Sequence, residues 1–227
     1  MPPTHPEPGE TEREIAQVYS FYSVLARNLD PKAGLGGTLL YVGDPAESGS
    51  ALLRAANIAG AASLAASADA ALLRRLMREG ALDFVVTSLD EALRILKNEI
   101  RKKEPVSVGV TVAIPIVERE MVDRGVQPDL LPASLATSPD RQTLLTRGAR
   151  AVEPQTHPPA NFQILPIPPG QPPAAFDALL FESLAPEDHL NLRWVRQAPR
   201  FLPATARRLR SIATDQLIPG ASADRSR

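Results

Sequence analysis

The chain has 227 residues, a length at which one domain, or one domain with an appendage, buries an apolar core. Its formal net charge of −1 excludes a global field that attracts nucleic acid or an anionic membrane, and the absence of cysteine excludes disulfides, thiolate metal sites and a cysteine nucleophile. The composition, with 44% hydrophobic and 22% charged residues, is typical of a globular protein without a membrane helix, so we expect a cytoplasmic protein whose partners are neither membranes nor nucleic acids.

The first predicted element is a helix that follows a proline-rich start. Residues 1–11 lack the basic-then-apolar order of a signal peptide, and we interpret them as a disordered tail. Apolar residues then recur at spacings of three and four from Glu12 to Asn28, which predicts a helix. The Asp30-Pro31 pair and the glycines after it end this helix.

Strand and helix signals alternate in the next hundred residues. Short apolar segments predict strands at Leu39–Val42, Ala62–Ala66, Asp83–Val86, Pro105–Val110 and Asp129–Leu131. Amphipathic segments predict helices between them at Gly49–Ala59, Asp69–Arg78, Leu89–Lys102 and Ala113–Arg124. Ser88 is the expected N-cap of one helix, with Glu91 as its capping-box partner. This alternation predicts an α/β fold, a Rossmann-like doubly wound parallel sheet, over residues 12–150 with the leading helix included.

The chain changes character near Pro132. Residues 154–173 contain eight prolines, a composition that favours an extended path. We expect an edge strand at Phe162–Ile167, a helix at Pro173–Leu184, and one or two helices over Pro186–Ala213 that are interrupted at Pro199 and Pro203. Residues 151–227 are therefore predicted to be a Pro-rich, partly helical extension that packs on the domain or on a partner.

A strand–turn–helix segment, Thr38 to Gly60, contains the main candidate site. Such a turn presents backbone N–H groups and a helix N-terminus to a phosphate. The candidate binding residues are Gly43, Ser48, Gly49 and Ser50, with Ser67 after the second strand. The alternative is a structural turn in which Asp44 or Ser48 caps the helix with its own side chain.

Several segments in this region resemble the NAD-binding middle domain of urocanase (urocanate hydratase). They are VLARNL before the Gly-rich link, AANIAGAASL, LDEALRIL, PVSVGV and DRGVQPDLL, in the family's order. The resemblance runs from about Val18 to Leu131, roughly half of the chain. It implies a Rossmann-like fold and NAD as the candidate cofactor.

The departures from the family pattern concern its ligand contacts. The family's first turn has a G-x-G-G-M-G-G-A-Q pattern, whereas here Asp44, Pro45 and Glu47 stand among the small residues. Pro45 removes an N–H donor, and the two carboxylates would repel a pyrophosphate.

Other family positions also differ. Ser67 stands where the family has an acidic residue for a ribose hydroxyl, and Val112-Ala113 replace a Gly-Asn pair. The stretch from Pro132 to Pro139 shares none of the polar groups of the family's D-Q-T-S-A-H-D segment. The family's two flanking lobes have no room in this length, so we do not expect urocanate hydratase activity.

Three further sets of residues are candidate sites. Asp44, Glu47 and Asp69 form an acidic cluster that would serve as an acid/base pair or hold a divalent metal, or would be solvated loop charges with a capping role. Neither His157 nor His189 has a nucleophile motif beside it, so no catalytic or metal residue is assigned.

The third set lies in the extension. The only tryptophan, Trp194, shares an apolar face with Leu190, Phe201 and Leu209, and arginines surround it at positions 193, 196, 200, 207, 208 and 210. Such a segment binds an anionic partner, or it anchors through the tryptophan on the domain or a second subunit while the arginines are solvated. We favour packing.

The sequence therefore predicts a non-hydratase, urocanase-like binding or interaction protein, that is, a pseudoenzyme, with a degenerate nucleotide or small-anion site. We expect it to form a homo-oligomer (a dimer) or to bind another protein. One alternative is an enzyme whose reassigned pocket acts on a small metabolite. Another is a structural partner subunit that docks through the extension.

Overall fold

Parallel strands form the centre of the fold. The structure is a computed structural model that describes residues 8–28, 30, 32–46, 48–133, 138–153 and 157–214. Within these residues, six strands form the main sheet: β1 (Leu39–Gly43), β2 (Ala62–Ala66), β3 (Phe84–Val86), β4 (Val106–Val110), β5 (Leu130–Pro132) and β6 (Arg150–Val152). The helices are α1 (Pro8–Leu25), α2 (Gly49–Ala59), α3 (Ala70–Arg78), α4 (Leu89–Lys102), α5 (Ile114–Asp123), α6 (Pro139–Thr146), α7 (Pro173–Ser183) and α8 (His189–Phe201). Two more strands, β7 (Phe162–Pro166) and β8 (Leu209–Ala213), form a small antiparallel sheet.

Helices cover both faces of the main sheet. Because successive strand residues point to opposite faces, Leu40 and Val42 of β1 enter one core and Leu39 and Tyr41 enter another. The first core contains residues of α1, α2 and α3, and we call that side the first face. The second core contains residues of α4, α5 and α6, and we call that side the second face. The α/β, Rossmann-like doubly wound fold predicted from the sequence is confirmed.

The strand order places a topological switch point between β1 and β5. The order is β3-β4-β2-β1-β5-β6, and each pair of neighbours is parallel. The chain leaves β1 into α2 on the first face and leaves β5 toward α6 on the second face. In open α/β sheets the crevice between two such connections, beyond the carboxyl ends of the strands, is where ligands bind.

The predicted elements of the first 125 residues agree closely with the structure. Both ends of α2, β2 and α4 are as predicted. At α4 the Ser88 hydroxyl accepts from the Glu91 N–H at 3.3 Å, as the capping box predicts. The Glu91 carboxylate instead accepts from the Thr87 N–H, one residue before the N-cap, at 2.9 Å.

Two predictions near the chain's ends were wrong. Helix α1 begins at Pro8, so residues 8–11 are helical and not part of a tail, while residues 1–7 lie outside the described residues and their assignment stays a prediction. Helix α8 continues through Pro199 to Phe201, because the missing N–H costs one bond near the end of a helix whose Ala198 and Phe201 are buried.

Three elements after Pro132 were not predicted, namely α6, β6 and β8. The short strand β6 pairs with β5 and crosses the boundary expected at residue 150. Strand β8 replaces the end of a predicted helix because it pairs with β7 from Phe162↔Ala213 to Pro166↔Leu209. Both strands depend on partners that are distant in sequence.

The extension packs on the first face through Trp194. Its side chain is 1% exposed, its ring lies 4.8 Å from that of Tyr19 in an edge-on arrangement, and its Nε1 donates to the Ser211 carbonyl at 2.9 Å. The tryptophan therefore anchors α8 on α1, in line with the packing interpretation.

Several arginines of the extension are engaged, which corrects the expectation that they are solvated. Arg193 donates from Nε to the Ile58 carbonyl of α2 at 3.0 Å, and Arg208 donates to the Pro168 carbonyl at 2.6 Å. Arg210 is buried in an ion pair with Asp177. These guanidinium groups bond to backbone carbonyls or to a carboxylate, so they are structural. Arg193 joins the extension to α2, whereas Arg208 and Arg210 join parts of the extension to each other.

None of the described helices has the length and apolar character needed to span a membrane.

Candidate functional site

The turn between β1 and α2 lies at the switch point and is shaped by two glycines. Gly43 has a φ of 75°, a left-handed conformation that side chains disfavour. A Cβ added at Gly49 would lie 2.3 Å from the Asp44 carbonyl oxygen. The backbone of the turn therefore folds closely onto the start of α2, and the Gly49 N–H donates to the Ala46 carbonyl at 2.9 Å.

Neither Asp44 nor Ser48 caps α2 with its side chain. The Asp44 carboxylate accepts from the Ala46 N–H at 3.0 Å, within the turn itself. Ser48 is the N-cap residue but has helical dihedral angles (φ −74°, ψ −14°) and makes no side-chain capping bond. Side-chain caps need a non-helical N-cap, as at Ser88 of α4. The alternative that Asp44 or Ser48 caps this helix is therefore wrong.

The remaining candidates are less available to a ligand. The Ser67 hydroxyl, after β2, accepts from the Asp69 N–H at 3.2 Å, and the Asp69 carboxylate accepts from the N–H groups of Ala71 and Leu72. Asp69 therefore has a capping role. Ser50 lies half-buried in the first turn of α2.

The acidic cluster of Asp44, Glu47 and Asp69 lies only partly within the described residues. Glu47 lies outside the described residues, so its convergence with Asp44 stays a prediction. Within the described ranges, no group of three or more histidine or carboxylate side chains is placed to hold a metal ion.

A buried polar network beside the switch point was not predicted. Glu118 of α5 and Arg141 of α6 are each 2% exposed. Arg141 donates to Glu118 Oε1 from Nε at 3.1 Å and from Nη2 at 2.5 Å, and Ser138 donates to Oε2 at 2.5 Å. Ser138 also caps α6, accepting from the Arg141 N–H at 3.1 Å. No local sequence signal joins two residues that lie 23 positions apart on different helices.

Tyr41 of β1 lies against this network. The Arg141 Cζ atom is 5.6 Å from the centre of its ring. Its hydroxyl is buried and forms no hydrogen bond of ordinary geometry among the described residues, although it faces the Glu118 carboxylate and the Arg141 guanidinium. Burial raises the pKa of Tyr41 far above its usual range, and the nearby Glu118 carboxylate adds to the rise while Arg141 opposes it. The hydroxyl is neutral at physiological pH.

The family model of the urocanase Rossmann-like domain matches residues 19–138, more than half of the chain. The chain belongs to the urocanase family. The match runs from Tyr19 in α1 to Ser138, the N-cap of α6, and confirms the resemblance seen from Val18 to Leu131.

The urocanase match contains the β1–α2 turn and Glu118, while Arg141, β6 and the whole extension lie beyond its end. The Rossmann-like core is thus the family's, and the extension that packs on α1 and α2 at its first face lies outside the matched range.

Proposed function

We propose that this urocanase-family protein is a non-hydratase binding protein with a weak site for a small anion, such as a nucleotide phosphate, at the start of α2. The observation that supports the proposal most directly is Ser48. Its side chain is exposed at the N-terminus of a helix that begins at the switch point, and the helix does not use its hydroxyl as a cap. The positive end of the helix dipole and this hydroxyl favour an anion there.

The same turn argues against an intact dinucleotide site. The Gly49 N–H is bonded to Ala46, and Pro45 has no N–H to offer. The Asp44 carboxylate remains in the turn, where its charge would repel a pyrophosphate. Because the turn offers few free backbone N–H donors and has the negative charge of Asp44, it favours binding of one phosphate group over binding of a pyrophosphate.

The non-hydratase part of the proposal rests on the other strand ends. Val112 and Ala113 follow β4, where the family has its Gly-Asn pair, and neither apolar side chain offers a polar group to a cofactor. Ser67, at the position of the family's ribose-binding acid, accepts from the backbone N–H of Asp69, the N-cap of α3. At Ser67, Val112 and Ala113 the chain has the fold of the family but not the side chains with which the family is expected to contact its cofactor.

Thermal unfolding with added anions tests the proposal. We expect inorganic phosphate, AMP and NAD at millimolar concentration to raise the melting temperature by similar, small amounts, because only one phosphate of each ligand is bound. For scale, a ligand at ten times its Kd stabilises a protein by roughly 1.4 kcal/mol. Ser48→Asp should abolish the shift by placing a carboxylate at the helix start.

The matched control is Thr205→Asp, which adds the same charge at an exposed position on another part of the molecule. It should leave the shift intact. A shift with NAD much larger than with phosphate would point instead to a retained dinucleotide site, and consumption of urocanate by the purified protein would contradict the non-hydratase assignment.

A further inference from the structure

The buried Glu118 carboxylate occupies a position that has the composition of an anion-binding site. Around its two oxygens lie the guanidinium of Arg141, the hydroxyl of Ser138 and the N-terminus of α6. A guanidinium fork, a hydroxyl donor and the positive end of a helix are the groups with which proteins bind carboxylates and phosphates.

Tyr41 of β1 also faces this group of donors. Tyr41 is fully buried, its ring lies under the Arg141 guanidinium, and its hydroxyl forms no hydrogen bond of ordinary geometry among the described residues. Buried hydroxyls without a well-formed hydrogen bond are costly and uncommon in folded proteins, so a carboxylate oxygen closer to Tyr41 than those of Glu118 would gain a hydrogen bond.

The arrangement is more than a helix cap. Ser138 alone caps α6, by accepting from the Arg141 N–H. Glu118 reaches the same place from a different helix, α5, and is 2% exposed there. Removing one partner of such a buried pair leaves an uncompensated charge, which is strongly unfavourable.

We propose that Arg141, Ser138 and Tyr41 form a binding site for a small carboxylate that the protein's own Glu118 fills in the resting state. The site is separate from the proposed anion site at Ser48, because it lies on the second face between α5 and α6. Its occupation by Glu118 ties α5 to α6.

Chemical rescue tests this site. Glu118→Ala removes the carboxylate and leaves room for formate or acetate, so we expect a melting temperature lower by about 10 °C in chloride buffer. Replacing chloride by formate at equal ionic strength and neutral pH should restore a substantial part of that loss. The wild-type protein, whose site is filled, should respond to formate no more than to chloride.

Two variants control for general salt effects. Glu120→Ala removes a partly exposed carboxylate two residues further along α5, and formate should not affect it more than chloride does. Adding Arg141→Met to Glu118→Ala should abolish the rescue, because the guanidinium that binds formate is gone.

If Glu118→Ala does not fold in chloride, its refolding yield in formate and in chloride replaces the melting temperature as the measurement. A formate effect on Glu118→Ala that is no larger than on Glu120→Ala, by either measurement, would overturn the proposal. Because no step involves Ser48 or a nucleotide, this result is independent of whether the nucleotide experiments succeed.

Discussion

At the scale of single residues, Gly49 shows that the fold itself can require a glycine in a phosphate-loop position. The Asp44 carbonyl lies where a Cβ at Gly49 would be, at 2.3 Å. In a dinucleotide-binding turn the missing side chain lets a ligand approach the backbone, whereas here it lets the backbone approach itself. The residue type is the same, and the group it accommodates is different.

Gly49→Ala should therefore destabilise the protein by about 1–3 kcal/mol, the usual cost of forcing an extra group into a closely packed place. Urea unfolding followed by circular dichroism measures the loss. The control is Gly9→Ala in α1, where a Cβ meets nothing within 4 Å. Gly9→Ala should cause no loss, and equal stability of the two variants would contradict the closed form of the turn.

At the scale of elements, Arg54 joins four helices. It is 2% exposed in α2, and it donates from Nη1 to the Phe201 carbonyl of α8 at 2.7 Å. A second bond runs from Nη2 to the carbonyl of Glu79, just after α3, at 3.0 Å. Its Nε lies 3.4 Å from Glu14 of α1, an ion pair without hydrogen-bond alignment. One buried guanidinium thus fixes the ends of helices from distant parts of the chain.

This junction predicts a dependence of stability on pH. Burial raises the pKa of Glu14, Arg54 opposes the shift, and the carboxylates of Glu79 and Glu10 add to the rise. Because the folded-state pKa exceeds the unfolded one, the contribution of Glu14 to stability is present at acid pH and is lost as pH rises through the folded-state pKa.

Glu14→Gln stays neutral, so its free energy of unfolding should increase relative to that of the wild type as pH rises from about 4 to about 7. Urea unfolding at several pH values measures the difference. Glu12→Gln, a change at an exposed position of the same helix, should show a constant difference from the wild type. A constant difference for Glu14→Gln as well would mean that Glu14 ionises as freely in the folded protein as in the unfolded chain.

At the scale of the whole molecule, the Rossmann-like domain and the extension share one core. Trp194, Phe176 and Phe201 of the extension belong to the same buried cluster as Tyr22 of α1 and Leu53 of α2. The apolar face predicted to pack is therefore used within the chain. A core common to both parts favours unfolding in a single cooperative step.

Trp194 offers a direct measurement, because it is the only tryptophan. Its fluorescence reports the docking of α8, whereas circular dichroism reports the helices of the entire chain. We expect the two urea transitions to have the same midpoint. A fluorescence transition at lower urea would show that the extension detaches first and is a separate unit.

Deleting residues 186–227 should make the remaining chain precipitate, since α1 and α2 lose their apolar cover.

Much of the fold was readable from local pattern. The elements α2, β2 and α4 were predicted at both ends because their apolar periodicity and their flanking turn residues lie within a few positions of one another. β6 and β8 were missed because a three- to five-residue strand with mixed exposure has little local signal and exists through its partners.

The candidate site divides in the same way. The sequence alone determined the turn at Gly43–Ser50, its two glycines and the family, and it led to the prediction that Asp44 and Pro45 do not suit a dinucleotide, because these are properties of neighbouring residues. Only the tertiary structure decided that the turn closes on itself and that Glu118 meets Arg141. Those contacts join residues that the chain brings together from different elements, and their free energy depends on burial, which no local pattern contains.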